Sequence, residues 1–514
     1  MIAVRSLNPF RTTLLISWNM KNLRLHPREE AARCLLCVDA PCSRVCVNGD
    51  PARAIRAIRF DNMGLAARWV EKCSEEELEQ AEKACIHYDR TIRIKELVRL
   101  IKEEKKEEGP MPDLAVDFCG IHCENPFFLA SSAICTNYEM VARAFEAGWA
   151  GVFYKTICMQ EINEVSPRFD AVHDDGVGDF YGFRNMEQLS ENPVRMDFDI
   201  LKRLKKDFPS KVVVASIMGQ TERQWILLAK MAEKAGVDAI ELNFSCPQMR
   251  LAGMGSDVGQ NSELVTFYTA YVKRNVSIPV IPKMTPNITH ISEPAMGGFF
   301  AGADAISAIN TIKSVTMDNR SAVSGKKTIS GYSGRAIKPI ALRFILDMAK
   351  NPILKNIHLS GIGGIETWRD ALDYIQLGCR NVQVCTSVMQ YGYRIIDDLI
   401  LGLQNYMRER NVTQVEQLVG EELPNFVTPN NLDRKTVVYP KFNRERCVGC
   451  GRCYNSCLDG GHQAISFEPE SRTPHLIGAN CVGCHLCRLV CPTGAVETSR
   501  RVEKIVRKKL IDAL

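Results

Sequence analysis

No apolar run in this chain approaches the length of a membrane span, so a membrane-spanning helix is excluded. There is no G-x-G-x-x-G after its first strand-like run, and the nearest imitation, Gly253 to Gly259, has the wrong spacing. That removes the signature of a dinucleotide crevice in a doubly wound sheet. An excess of charge is missing too. Lys plus Arg is 65 against 60 for Asp plus Glu, a balance of +5 that argues for neither nucleic acid nor a membrane surface as partner. Acidic residues are absent from Met1 to Asn19, a basic stretch with only a short apolar run, Leu14 to Trp18. A targeting peptide is one reading. The preferred one is that Met20 is the true start and that residues 1–25 are a disordered extension. At 514 residues, 46% apolar and 24% charged, the chain reads as an ordinary globular protein of two to four domains.

What the chain has is cysteine, 21 in all. A secreted disulfide scaffold would explain such a count, but twelve lie in runs spaced for metal clusters, which fits a reducing, cytoplasmic compartment. Two runs near the C-terminus are C-x₂-C-x₂-C-x₃-C: Cys447, Cys450, Cys453, Cys457 and Cys481, Cys484, Cys487, Cys491, the last followed by Pro492. Four thiolates at that spacing hold a cubane iron–sulfur cluster. In two-cluster ferredoxins the fourth cysteine of each run ligates the other cluster. Cys447, Cys450, Cys453 and Cys491 are therefore assigned to one [4Fe-4S] cluster, and Cys481, Cys484, Cys487 and Cys457 to the other. Structural zinc rarely shows this spacing. The protein is expected to move single electrons.

The rest of the chain divides by pattern. Residues 26–108 read as a helical domain, with apolar positions at helical spacing between Glu75 and Lys106 and a charged run closing it before Pro110. From 112 to 405, eight strand-like runs alternate with helical stretches. They are Phe127–Ser131, Gly151–Lys155, Val212–Ile217, Ala239–Asn243, Pro279–Lys283, Ala305–Asn310, His358–Gly361 and Asn381–Cys385. Eight βα units in about 290 residues predict a TIM (β/α)₈ barrel. A connector (406–436), the ferredoxin-like α+β module (437–500) and a basic tail (501–514) follow. The expected fold is α/β, a TIM barrel flanked by a C-terminal two-cluster module and an N-terminal α-helical domain.

Active sites of such barrels lie at the C-terminal ends of the strands. Here those ends carry Ser131, Lys155 and Thr156, Asn243 to Pro247, Lys283, Asn310 and Thr311, Gly363 and Gly364, and Thr386 and Ser387. One such residue is usually a cap or loop residue, but seven such ends together are not. Gly363 and Gly364 with Thr386 match the usual phosphate site of the fold. Lys155 and Lys283 each follow an apolar run, where an ammonium needs an anionic partner. The charged ring of a reduced flavin is one; a Schiff-base lysine is the competing role. Cys246 is a thiol at a strand mouth that is mostly protonated near neutrality and able to donate a proton. The Met- and Gly-rich segment Gln248 to Gln260 reads as a lid.

These residues carry a resemblance. Asn163–Arg168, Gly182–Glu187, Ala215–Met218, Asn243–Gln248, Lys283–Asn287, Asn310–Thr311, Ser330–Arg343 and Gly363–Thr367 resemble the catalytic subunit of the dihydropyrimidine dehydrogenase family, within the dihydroorotate dehydrogenase-like superfamily. The resemblance spans 114–500. It implies an FMN-containing oxidoreductase that reduces uracil or thymine to the 5,6-dihydropyrimidine, or the reverse. It implies FMN contacts from Ser131, Lys155, Thr156, Asn243, Lys283, Gly334, Gly363, Gly364, Cys385 and Thr386. Asn185, Asn243, Ser245, Asn310 and Thr311 would hold the base. Cys246 would protonate C5 while hydride reaches C6. Gln248, where dihydroorotate dehydrogenases normally carry Asn, argues against orotate. A dihydroorotate-type or other cyclic-imide oxidoreductase, and an electron-transfer subunit without its own substrate, are the alternatives. The family also implies a partner subunit carrying FAD and an NAD(P)H site, in a hetero-oligomer.

Cys34, Cys37, Cys42 and Cys46 form a C-x₂-C-x₄-C-x₃-C run that resembles the helical iron–sulfur domain found on partner subunits of this enzyme and of glutamate synthase. There the domain holds two clusters. Here only Cys73 and Cys85 follow before the barrel, so one further cluster is expected. Its fourth ligand is Cys46 or a later cysteine, and a Cys₄ zinc site is the competing reading.

Overall fold

The computed structural model describes residues 27–101, 110–173, 180–247, 249, 253–317 and 326–504. The leading extension with Met20, the charged run 102–109, part of the lid segment including Gln248, and the end of the basic tail lie outside these residues.

The eight expected strands form one closed parallel sheet. In chain order they are β1 (Phe127–Leu129), β2 (Gly151–Phe153), β3 (Val212–Met218), β4 (Ala239–Asn243), β5 (Val280–Lys283), β6 (Ala305–Ala308), β7 (His358–Ile362) and β8 (Cys379–Val384). Each pairs with its sequence neighbours, and β8 returns to β1 through Val382 opposite Phe127. Every strand residue from β1 to β6 is buried, as expected where helices cover the outside and side chains fill the inside. Local sequence sets the surrounding helices. Thr221 caps Glu222–Ala235, which ends on left-handed Gly236, and Thr367 with Asp370 forms a capping box on Trp368–Gln376.

A second sheet comes from the loops at the C-terminal mouth. Its four antiparallel strands are Phe169–His173, Phe180–Asn185, Ile312–Ser314 and Ser330–Ser333. These runs are short and lack clean alternation, so the sequence does not announce them as strands.

Residues 27–101 are helical, as expected, but the periodic stretch from Glu75 is broken. Ser74 and Glu77 form a capping box that starts Glu75–Lys83, and the chain then leaves the helix until Ile94–Ile101. Cys85 lies in that break. The helical residues form one compact unit with the barrel, up to Phe426. Trp368 Nε1 donates to the Asp61 carbonyl at 3.0 Å, Asp61 pairs with Arg28 and Arg369, and Arg56 meets Asp398 at 2.8 Å.

The described residues from Val427 to Lys504 form a separate unit. Its described residues form three small antiparallel strand pairs, a short 3-10 turn at Pro429–Asn431 and two α-helices, Arg452–Gly460 and Leu486–Leu489.

Candidate active site and cysteine-lined cavities

The C-terminal mouth of the barrel opens into a cleft that, with the solvent space at its mouth, spans about 1160 Å³. Its walls carry Ser131, Lys155, Thr156, Asn185, Asn243, Cys246, Lys283, Asn310, Thr311, Gly334, Gly363, Gly364, Cys385 and Thr386. Of the residues expected at the active site, only Ser245 falls outside this lining. Ser245 is 0% exposed and acts from behind. Its hydroxyl donates to Asn243 Oδ1 at 2.9 Å and accepts from Asn310 Nδ2 at 3.0 Å, so one side chain aims two carboxamides.

A polar network runs beneath the cleft through the barrel interior. Asn243 Nδ2 donates to Thr156 Oγ1 at 2.9 Å, and Thr156 meets Ser216 Oγ at 2.9 Å. Ser216 and Ser307 donate to the two oxygens of Glu241 at 2.9 and 3.0 Å. Gln383 Nε2 donates to Ser307 and Ser360 at 2.9 and 2.8 Å. A fully buried carboxylate needs such donors and a cation. Lys283 Nζ supplies the cation at 3.5 Å. Lys155 has its own acid, Glu187, at 2.7 Å, and Arg168 meets the other oxygen of Glu187 at 3.3 Å. Glu187, Glu241 and Gln383 were not singled out from sequence. Glu187 lies two residues past Asn185, beyond the end of its strand, and Glu241 precedes Asn243 by two on β4. The strand period of two, read backward from Asn243, finds Glu241; Glu187, past its strand's end, carries no such signal.

Aromatic rings close one side of the cleft. Phe169 and Phe183 stand 5.4 Å apart and Phe180 and Phe183 5.7 Å apart, all on the mouth sheet. Part of the lid segment also packs down: Ser256 N donates to the Cys246 carbonyl at 2.9 Å.

The residues present fit a flavin. Two buried ammonium groups face the same cleft. Gln383 also lines it, and its Oε1 is buried without a hydrogen-bond partner, the kind of orphan acceptor a bound ring N–H satisfies.

In the C-terminal unit, one cavity is lined by Cys447, Cys450, Cys453 and Cys491 and a second by Cys457, Cys481, Cys484 and Cys487. The fourth cysteine of each run thus faces the other run's cavity. Left-handed Gly449 and Gly483 make the turns inside the two Cys-Val-Gly-Cys loops; a Cβ at Gly483 would press on the Val438 carbonyl at 2.6 Å.

For the N-terminal run the fourth position stands open between Cys46 and a later cysteine, and the later one lies at the cavity. Cys34, Cys37 and Cys42 line a cavity whose fourth cysteine is Cys85, not Cys46. Cys46 turns away and lies buried with its Sγ 3.0 Å from Cys73 Sγ. The reason is the break after Lys83, which carries Cys85 to the cavity. Burial first, then the Cys34 and Cys85 thiols beside it, push Cys42 up to about 12. A bare thiolate there is unfavourable, and a bound metal centre is what would compensate it. Arg59 links this cavity to the barrel. It donates to the Cys34 carbonyl at 3.2 Å and sits 5.2 Å over the ring of Tyr391, whose hydroxyl donates to Glu366 of the cleft wall at 2.7 Å.

A barrel mouth of this kind, on a chain that also gathers cysteines in fours, defines an iron–sulfur oxidoreductase working on a small molecule. The chain belongs to the dihydroorotate dehydrogenase family, whose profile matches residues 113–407, and a 4Fe-4S dicluster domain profile matches 441–498. Over 391 residues it is 50% identical to the NAD-dependent dihydropyrimidine dehydrogenase subunit PreA of Escherichia coli K12, covering 75% of this chain and 95% of that one. It is 37% identical over 341 residues to the chloroplastic dihydropyrimidine dehydrogenase (NADP(+)) of Arabidopsis thaliana, covering 63% and 80%. It is 35% identical over 311 residues to the catalytic subunit of dihydroorotate dehydrogenase B (NAD(+)) of Pyrococcus abyssi, covering 60% and 98%. Among the described residues, no helix is long and apolar enough to cross a membrane.

Proposed function

We propose that this chain interconverts uracil or thymine and the 5,6-dihydro base. The observation that carries the reading is the braced carboxamide pair. Asn243 and Asn310 are tied to one hydroxyl, Ser245, beside the Cys246 thiol, with Asn185 and Thr311 in the same cleft. A cyclic imide presents alternating donors and acceptors, and Asn offers both. The 50% identity to a dihydropyrimidine dehydrogenase subunit supports the same substrate class.

In this reading FMN is held by the lysines, glycines and hydroxyls of the cleft and, when bound, supplies hydride chemistry at C6. The chain's own residues do the rest. Asn185, Asn243, Asn310 and Thr311 orient the ring. Cys246 holds the proton destined for C5. Lys155 and Lys283 keep positive charge beside the cleft, each steadied by its carboxylate. The phenylalanines of the mouth sheet exclude water from one side.

The two four-cysteine cavities of the C-terminal unit fit two [4Fe-4S] clusters ligated in the exchanged pattern. The N-terminal cavity fits a third, with Cys85 as fourth ligand in place of Cys46. The contacts Arg59–Tyr391–Glu366 support a role for that site in feeding the barrel. Reducing equivalents come from a partner subunit with FAD and an NAD(P)H site, within a cytoplasmic hetero-oligomer. Neither nucleic acid nor membrane is a partner.

The test is anaerobic turnover with a reduced dye against uracil, thymine and orotate, on fully loaded protein. Turnover of uracil and thymine far above orotate is expected. Orotate or dihydroorotate as the better substrate overturns the pyrimidine reading.

A further inference from the structure

The thiol pair left over in the helical domain has no part in the chemistry above. Cys46 and Cys73 are 27 residues apart in sequence, 6% and 4% exposed, and their sulfurs lie 3.0 Å from each other. Both sit at helix ends. Cys46 follows the helix Pro41–Arg44, and Cys73 lies between Met63–Val70 and Glu75–Lys83.

The surroundings clamp the two segments together. One oxygen of Glu77 accepts from Val47 N at 3.0 Å, Asn48 N at 3.2 Å and Asn48 Nδ2 at 3.0 Å. Its other oxygen accepts from Ser74 N at 2.8 Å. A single carboxylate thus joins the residues that follow Cys46 to the residue that follows Cys73. On the other side, Asp50 N donates to the Trp69 carbonyl at 2.8 Å, and a Cβ at Gly49 would collide with Cys73 Sγ and that carbonyl. Glycine is what lets the loop close onto the sulfur.

We propose that Cys46 and Cys73 are a redox-active dithiol that closes reversibly to a disulfide, separate from the cysteines that line the neighbouring cavity. This rests on the reading that Cys85, not Cys46, completes that cavity. Two thiols held at contact react as an intramolecular pair, with the entropy of bringing them together already spent. The oxidant is a small-molecule disulfide. One thiolate of the pair attacks it and releases one small thiol. The second then attacks the mixed disulfide and releases another. One protein S–S bond forms, the small disulfide's S–S bond breaks, and the two electrons and two protons leave on its two thiols. Val47, next to Cys46, is 89% exposed, so the pair lies one residue beneath the surface. Cys42 is four residues before Cys46 and lines the Cys34 cavity. Closing the bridge therefore stiffens the wall that carries one of the proposed cluster ligands.

The experiment equilibrates the full, cluster-loaded chain anaerobically in buffers of oxidised and reduced glutathione at a series of ratios. Acid quenching, alkylation and peptide mapping follow, with iron counted on wild type, Cys46→Ser, Cys73→Ser and Cys85→Ser. The expected result is a Cys46–Cys73 cross-linked peptide that grows with the oxidised fraction and disappears with dithiothreitol. Iron should be unchanged in Cys46→Ser and Cys73→Ser. Peptide mapping of the wild type needs no variant to fold. Two alkylated cysteines at every ratio overturn the proposal. So does loss of a cluster's iron from Cys46→Ser or Cys73→Ser, which makes them ligands. Full iron in Cys85→Ser with an intact cross-link overturns only the cavity reading.

Discussion

Lys155 and Lys283 are each 3% exposed, and each faces one carboxylate. The requirement for a partner follows from the apolar runs before them; the identity of the partner does not. Removing one member of a buried pair strands the other charge, at a cost of roughly 3–5 kcal/mol. Lys283→Met is therefore expected to lower stability by about that amount, read by denaturant titration. The double variant Lys283→Met/Glu241→Gln should recover most of the stability without recovering flavin content. Cys246 belongs to the same scale. Its place at the mouth is legible in Asn-Phe-Ser-Cys-Pro, because a strand end in this fold faces the site. Cys246→Ala is expected to keep flavin and iron and to lose about 10²–10⁴-fold in turnover, the usual worth of a general acid. Near-normal turnover in that variant would remove Cys246 from the mechanism. Ser245, one residue away, shows the limit of such reading, since a loop residue's side-chain direction is set by neighbours that the local sequence does not name.

Among the elements, the mouth sheet is what sequence periodicity missed. Its strands are three to six residues long; two of its pairings join near neighbours in the chain, and the third, with Gly331 opposite Asn185, crosses more than a hundred residues to hold the two halves together. Gly331 also packs on Thr311, where an added Cβ would come within 2.9 Å of Thr311 Cβ. Gly331→Ala should raise KM for the base several-fold while flavin content stays normal, checked by steady-state kinetics beside the flavin spectrum. The contact between the helices Pro51–Arg59 and Ile395–Glu409 carries a pH dependence. Burial pushes Asp398 up to about 6, against a partial pull downward from Arg56, with Asp397 adding to the rise. A carboxyl raised on folding binds its proton more tightly in the folded state, so its ionisation costs stability as pH climbs from about 4 through about 6. Asp398→Asn should therefore gain in melting temperature relative to wild type over that window and hold a constant difference above it. A difference that shrinks with rising pH would contradict the sign.

For the whole molecule, the decisive feature is what the barrel must be fed by. A dinucleotide needs a βαβ crevice with a glycine-rich turn, and the chain shows no such run. The isolated, fully loaded protein is thus expected not to bleach its flavin with NADH or NADPH at a catalytic rate. Anaerobic stopped-flow mixing reads this directly, and rapid bleaching without an added partner would show that the chain is self-sufficient.

The spacing of cysteines, the eight alternating runs and the polar strand ends determined by themselves that this is a barrel with a thiol at its mouth and a module of cysteine fours. Those features are local, because ligand spacing and strand burial act within a few residues. Three things were decided only by tertiary structure. The break after Lys83 brings Cys85 to the N-terminal cavity and leaves Cys46 against Cys73. Ser245 aims two carboxamides from behind the cleft. Glu241 and Gln383 carry a hydrogen-bond network across the barrel interior. Each joins residues far apart in the chain, and closing the fold is what makes them neighbours: a buried polar group takes whichever partner the packing delivers to it.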